Sequence, residues 1–460
     1  MGPSFGHTVV QFFSFEIPFI SGPRHRGQSR AIAGDANASD ARETNKPNRL
    51  ISRELLQRHP SVNVRSAGVL ARSNLRISGS LRHSRKNPLA LFICPIYILY
   101  VTNASAAQKG RGAGLNPTNR FEKISLEKDI DWNPDDDRPL RTEFYRDTTQ
   151  SVINYNDSPD VGFEASLNPY RGCEHGCVYC FARPTHEYLG FSAGLDFESR
   201  IMVKERAPEL LRKELSSPKW KPQVLVMSGV TDCYQPIERK LQITRRCLEV
   251  LLDFRNPIAI ITKNYLVTRD IDLLSQLARF NAAAVNVSVT TLDPTLTPKL
   301  EPRASLPQHR LAAIRELSAA GIPVNAMVAP VIPGITDHEI PAIVAAVVEA
   351  GATSAGCLPV RLPFAVKDLF VEWVERHFPD RKEKVLGRIR DMRGGKLNDP
   401  NFGTRMRGDG VFAEQIHDLF AVACRKAGLP KPRPDLSTAS FRVPKKPGRA
   451  EQTTFEFAAS

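Results

Sequence analysis

Cysteine is scarce in this 460-residue chain: there are eight, and only those at 173, 177 and 180 lie close together. A secreted domain stapled by disulfides would carry paired cysteines throughout, so that class is excluded. Such usage fits a reducing compartment with one metal site, and the cytoplasm is the expected location. Long apolar runs are also missing. The longest, residues 88–101, has 14 residues and is interrupted by Pro95, whereas a membrane-spanning helix needs about 20. No membrane partner is expected. Residues 82–86 are basic and residues 104–106 read Ala-Ser-Ala, so the run between them has signal-peptide grammar, displaced far from Met1. Methionine is absent between Met1 and Met202.

An excess of positive charge is present, but not where chemistry is expected. Of the formal +14, residues 1–107 hold 14 Lys and Arg against 5 Asp and Glu, and residues 431–460 hold 6 against 3. That leaves +2 for residues 108–430, so the basic balance by itself does not imply a nucleic-acid partner. Residues 1–107 lack helical or strand periodicity and are rich in Ser, Arg, Asn and Gly; they read as a disordered extension, or as chain ahead of the true start. Residues 108–165 read as a linker and the Pro-rich 431–460 as a disordered tail.

From residue 166 short apolar runs alternate with amphipathic stretches. The pattern predicts strands over 223–228, 258–262, 284–290, 323–328 and 354–360. Helices are expected over 207–216, 238–254, 271–280, 308–320 and 337–350. Such alternation implies βαβ units and a parallel sheet. Residues 166–365 are too few for eight units, so the expected fold is α/β, a partial (βα)6 TIM-like barrel. A helical C-terminal extension follows over 366–430, with helices at 367–377, 382–392 and 412–427. Within 284–290, Val285, Val287 and Val289 share one face while Asn286, Ser288 and Thr290 share the other. In a barrel this puts the valines under the helices and the polar set in the lumen; at a sheet edge it would give a solvated face.

Cys173, Cys177 and Cys180 follow the short extended segment 166–170, with Gly172 and Gly176 interleaved. Three thiolates can hold three irons of a 4Fe-4S cubane and leave the fourth iron open to a ligand. Glycine at 172 and 176 lets the backbone curl around a cluster. A non-catalytic zinc module is the alternative, with His175 or His186 as fourth ligand, although no second Cys-x-x-Cys or paired His follows.

Residues 168–186 (NPYRGCEHGCVYCFARPTH), with an aromatic Tyr179 before the last cysteine, resemble the radical S-adenosylmethionine (SAM) superfamily. Within it they are similar to the uncharacterised bacterial DNA repair photolyase-like branch related to spore photoproduct lyase. The likeness runs over about 109–429 and includes 234–238 (YQPIE) and the segment 393–408. It implies a radical SAM core in which SAM binds the open iron and is cleaved reductively to methionine and a 5'-deoxyadenosyl radical. That radical takes hydrogen from a substrate the resemblance does not identify. It also implies a reducing electron donor of the flavodoxin or ferredoxin type. Thr231, Lys263 and Ser288 match SAM-contacting positions, and the loop 331–334, with Gly334, matches an adenine-contacting one. Asp232 either orients Thr231 or Lys263 or serves a turn.

The branch's name points to nucleic acid as substrate. Arg393, Lys396, Arg405 and Arg407 among glycines suit a phosphate backbone, or simply a solvated loop. Modification of a peptide or small metabolite is the other reading. By the same resemblance, spore photoproduct repair uses a thiol just before the Thr-Asp pair and tyrosines on both sides of the last cluster cysteine. Here Tyr179 is kept, but Val230 and Phe181 stand at the other two places, with Cys233 as the nearest thiol. Replacing any one of Cys173, Cys177 or Cys180 by Ala is expected to abolish SAM cleavage, measured as 5'-deoxyadenosine formed by the reduced protein. Cys247→Ala, Cys357→Ala and Cys424→Ala should leave it intact, these thiols packing as small hydrophobes.

Overall fold

Short, largely apolar runs form the central sheet, the middle ones rich in Val and Ile, and each is too short to be a helix of ordinary length. The computed structural model describes residues 108–122, 140–429 and 435–444. The expectations for 1–107 and for most of 431–460 lie outside the described residues. Ten strands are found among them, in chain order β1 (Glu143–Arg146), β2 (Ile153–Tyr155), β3 (Ala165–Leu167), β4 (Tyr170–Arg171) and β5 (Arg200–Val203). They continue with β6 (Leu225–Met227), β7 (Ile258–Thr262), β8 (Ala283–Ser288), β9 (Val324–Val331) and β10 (Ser354–Pro359). A seven-stranded sheet has the order β10-β9-β8-β7-β6-β3-β2. From β3 to β10 its six strands are parallel and neighbours in chain order, with β2 antiparallel at one edge. A sheet that never reverses its order is the open, partial (βα)6 barrel. Residues 108–165, read as a linker, contribute β1, β2 and the first residue of β3; β1 pairs with β5, and β5 with β4, in a second small sheet.

Helices Ala207–Leu215, Ile243–Phe254, Ile271–Ala278, Pro307–Ala319 and Ile340–Glu349 follow the parallel strands. Their apolar residues form one core with Val285 and Val287 of β8 and Val289 just after it, a cluster that includes Leu274, Leu277, Ile314 and Val344. The polar set of β8 faces the other way. Asn325 donates Nδ2 to Asn286 Oδ1 at 3.1 Å, Asn286 donates to Ile260 O at 2.8 Å, and Ser354 donates to Asn325 Oδ1 at 2.9 Å. This ladder crosses β7 to β10 with its buried amides paired, which is what a polar lumen wall needs. β8 is hydrogen-bonded on both sides, so its alternation does not mark an edge. The helix expected over 238–254 is broken after Leu241, where Gln242 turns left-handed (φ 52°). The Glu238 carboxylate accepts the N–H of Thr244 at 3.1 Å and so caps the second piece.

Helices Val366–His377 and Lys382–Asp391 fold back beneath the cysteine segment. Phe370, Trp373, Val385, Leu386 and Ile389 pack with Cys177, Val178, Tyr179, Leu296 and Leu300 in a second core. Trp373 is fully buried and donates Nε1 to Lys299 O at 2.8 Å. Among the described residues no helix is long and apolar enough to cross a membrane. Trp373→Ala is expected to cost about 3–5 kcal/mol in urea unfolding and to reduce iron retained after reconstitution, whereas Trp373→Phe should recover most of both.

Candidate active site

The cysteine segment must turn back on itself within eight residues, and backbone donors and one buried guanidinium hold it there. Gly176 has φ 67°, in the left-handed region that favours glycine. Cys173 N donates to Phe197 O at 2.9 Å and Val178 N to Leu300 O at 3.1 Å. Arg183, wholly buried, donates Nε to Cys177 O at 2.9 Å, Nη2 to Gly176 O at 3.1 Å and Nη1 to Gly194 O at 2.9 Å. It is paired with the buried Glu198, whose carboxylate also accepts Gly112 N at 3.0 Å and Ala113 N at 2.8 Å. A Cβ on Gly112 would stand 1.8 Å from Gly176 O, so only glycine fits behind the loop. Gly112 and Glu198 carry no local signature, since they meet across 86 residues of chain; Arg183 lies within the 168–186 stretch, but nothing there shows that it grips the Gly176 and Cys177 carbonyls.

The three thiols line one cavity at the C-terminal end of the parallel strands. It comprises ≈ 920 Å³ of space between the lining residues, open solvent at its mouth included. Tyr179, Asp232, Lys263 and Ser288 line it too, as do His175, Val230 and Phe181. Three expected site residues do not. Thr231 donates its hydroxyl to Tyr170 O at 2.9 Å and is buried away from the cavity. Cys233 packs in the main core with Tyr234 and Cys247. Gly334 sits against Val385, and the nearby cavity wall is Ala329 and Pro330 instead. Arg361 and Met406 line the cavity without having been singled out, and His175, offered above only as a zinc ligand, lines it too. The presence of His175 in the cysteine segment was the only local hint.

Asp232 organises the wall. Its carboxylate accepts Lys263 N at 2.7 Å, Thr262 Oγ1 at 2.8 Å and Tyr234 N at 2.9 Å, and faces His175 Nδ1 at 3.3 Å. Burial alone would raise its pKa, but the His175 ring and the backbone donors bring it below the ordinary carboxylate value. Asn264 Oδ1 accepts Leu266 N at 3.0 Å, which turns its Nδ2 toward His175 Nε2 at 3.1 Å. That ring nitrogen must therefore accept, and Nδ1 carries the proton donated to Asp232. His186 is buried outside the cavity, its Nε2 donating to Arg200 O at 2.9 Å, and burial lowers its pKa to about 4.

Burial also pushes all three thiols up, Cys173 well above its ordinary value, with Asp232, Cys177 and Cys180 adding to the effect there. The Lys263 charge acts in the opposite sense on Cys177 and Cys180. As free groups these thiols stay protonated; a bound cationic cluster is what turns them into ligands. Among the described residues no group of three or more His, Cys, Asp or Glu is gathered tightly enough to hold a single metal ion. A cubane asks for something else, one thiolate per iron around its edge, and three cavity-facing thiols on a glycine-bearing turn fit that donor set.

Behind Cys177, the buried Glu301 pairs with the buried Arg310 and accepts the hydroxyls of Tyr179 and, at 2.7 Å, of Thr290. Arg310 further donates to Ser305 O at 2.7 Å and Ser288 O at 3.1 Å, so its charge is used inside the protein. Burial, then Glu301, raises the Tyr179 phenol well above its ordinary value. In the C-terminal extension Arg393 and Arg405 are also consumed internally: Arg393 by the carbonyls of Val360, Thr404 and Arg405, and Arg405 by Asp160.

The family model described as the Radical SAM superfamily matches residues 167–347. An uncharacterised protein of Mycobacterium tuberculosis (strain ATCC 25618 / H37Rv) is 34% identical over 282 residues, 61% of this chain and 80% of the relative. An uncharacterised protein of Methanocaldococcus jannaschii is 31% identical over 178 residues, 39% and 64% of the two chains. Among solved structures, spore photoproduct lyase complexed with dinucleoside spore photoproduct aligns with a TM-score of 0.44 at 15% identity, over 62% of this chain and 78% of that one.

Burial raises the Glu301 pKa, but Arg310 and then Lys263 outweigh it and hold the carboxyl at about 2, against 4.5 in water. A depressed acid contributes stability above its unfolded pKa and loses it on acidification. The Glu301 contribution should be complete above about pH 4.5 and fade toward pH 2. Glu301→Gln strands Arg310 and is expected to cost about 3–5 kcal/mol at pH 7. It should also flatten the acid limb of a stability-versus-pH curve between those values.

Proposed function

The chain belongs to the radical SAM superfamily, and from that premise we propose that it cleaves SAM reductively at a 4Fe-4S cluster held by Cys173, Cys177 and Cys180. The observation that carries the reading is that these thiols share one cavity with Lys263 and Ser288 at the strands' C-terminal ends, where barrels of this kind do their chemistry. When bound, the reduced cluster supplies one electron that splits SAM, and the radical fragment takes hydrogen from the substrate.

The chain's own residues do the rest. The Lys263 ammonium is suited to the SAM carboxylate, and the Ser288 hydroxyl to its amino or ribose groups. Asp232 is a positioning residue: it fixes the start of the Lys263 loop and the His175 ring. The Tyr179 hydroxyl is committed to Glu301 and Thr290, so it braces the cysteine turn. A flavodoxin- or ferredoxin-type protein provides the electron, and a reducing cytoplasm preserves the cluster thiols. Nucleic acid is one substrate class. Internal use of Arg393 and Arg405 favours a second reading, a peptide or small metabolite, because it removes half of the basic set offered to a phosphate backbone.

Lys263→Ala is expected to raise the KM for SAM by roughly 10–100-fold, the worth of one charge-assisted contact, with the cluster's absorbance unchanged. The same reduced protein, given spore photoproduct and SAM, should release no thymine. Val230 and Phe181 line the cavity and Cys233 does not, so among the described residues the cavity offers no thiol beyond the three assigned to the cluster. Multiple-turnover repair would contradict this, and unchanged KM in Lys263→Ala would remove that residue from SAM binding.

A further inference from the structure

The parallel strands do not close on themselves: among the described residues β10 and β2 are the two edges of the sheet. Residues 403–408 are anchored to both. On the β10 side, buried Arg393 donates Nη2 to Val360 O at 2.9 Å, and Nη1 to Thr404 O at 2.9 Å and Arg405 O at 2.8 Å. On the β2 side, Arg405 pairs with Asp160 and donates to Ser158 Oγ at 2.7 Å, while Gly403 N donates to Asp160 Oδ1 at 2.6 Å. Ser158 and Asp160 lie in the loop from β2 to β3. Between these anchorages the wholly buried Met406 packs on Met327, Ala329 and Leu358, and its sulfur accepts Arg361 Nη1 at 2.8 Å. Met406 lines the same cavity as the three thiols.

We propose that residues 403–408 form a strap across the open side of the partial barrel, with Met406 as the plug that seals the cavity there. This rests on the reading that the cavity holds the cluster and SAM. The strap makes the mouth at the strands' C-terminal ends the substrate's way in. A thioether offers polarisable apolar surface, so the sealed end receives an apolar, C–H-bearing group of a substrate and excludes water from the radical. A polymer does not thread between the sheet edges.

The test uses the full chain, reconstituted anaerobically, and follows iron release to bathophenanthroline disulfonate, with hydrogen exchange across 399–408 and Tm measured in parallel. Asp160→Ala releases the strap on the β2 side and leaves the Arg393 anchorage in place, and exchange there should quicken by roughly a hundredfold or more, the equivalent of a broken buried ion pair. Iron release should rise about tenfold or more, in step with that opening. Met406→Ala keeps both anchorages, so strap exchange should stay near wild type while iron release still rises. Leu248→Ala, in the core away from the cavity, should lower Tm without speeding iron release. Unchanged iron release in Met406→Ala, or an equal rise in Leu248→Ala, would overturn the proposal. If the wild-type chain takes up no iron, the cluster reading fails by itself. The strap is then judged by the same comparison on the reaction of Cys173, Cys177 and Cys180 with dithionitrobenzoate.

Discussion

Three buried thiols facing one cavity can be anions only with positive charge among them, and the rest of this structure is arranged around that requirement. Desolvation holds Cys173, Cys177 and Cys180 protonated when alone. A cluster therefore binds by displacing protons, and its binding energy is added to the stability of the turn that carries it. The turn cannot be left to find its shape on binding. Gly176 in a left-handed conformation, Gly112 pressed against its carbonyl, and Arg183 gathering the carbonyls of Gly176 and Cys177 all fix it in advance.

Buried arginine–carboxylate pairs recur at each point where distant segments must meet at the cavity. Arg183–Glu198 ties residues 112–113 to the cysteine turn, Arg310–Glu301 ties the loop after β8 to Tyr179, and Arg405–Asp160 ties the C-terminal extension to the β2–β3 loop. Such pairs add little net stability over well-packed apolar residues, but losing one partner is costly. Their use here is to exclude other arrangements of the walls. Asp232 acts similarly on a smaller scale, giving one carboxylate to three backbone or hydroxyl donors and one imidazole.

The sheet was legible because its strands are short, apolar and separated by amphipathic helices; residues 258–262 were read to the residue. The lumen ladder was legible from the alternation of β8, since period two puts Asn286 and Ser288 opposite the valines. The break at Gln242 was not, because no glycine or proline marks it and the cap comes from Glu238, itself fixed by Tyr170 and Arg269. In the site, the cysteines announced themselves by spacing. The fates of Thr231 and Cys233 did not follow from sequence: their neighbours line the cavity, and which way each side chain turns is decided by Tyr170 O and by the core. Arg183 and Met406 lie within the stretches that carry the family likeness, but their roles did not follow from it: Arg183 acts on carbonyls that only the folded turn gathers, and Met406 meets Met327, Ala329 and Leu358 through tertiary structure.

The central claim is a cluster with one iron left open for SAM. Mössbauer spectroscopy of the anaerobically reconstituted, iron-57-enriched chain tests it directly. One iron should differ from the other three in the same cluster, and its signal alone should shift when SAM is added. A cluster whose irons all respond alike, or a colourless chain that retains zinc in place of iron, would contradict the account.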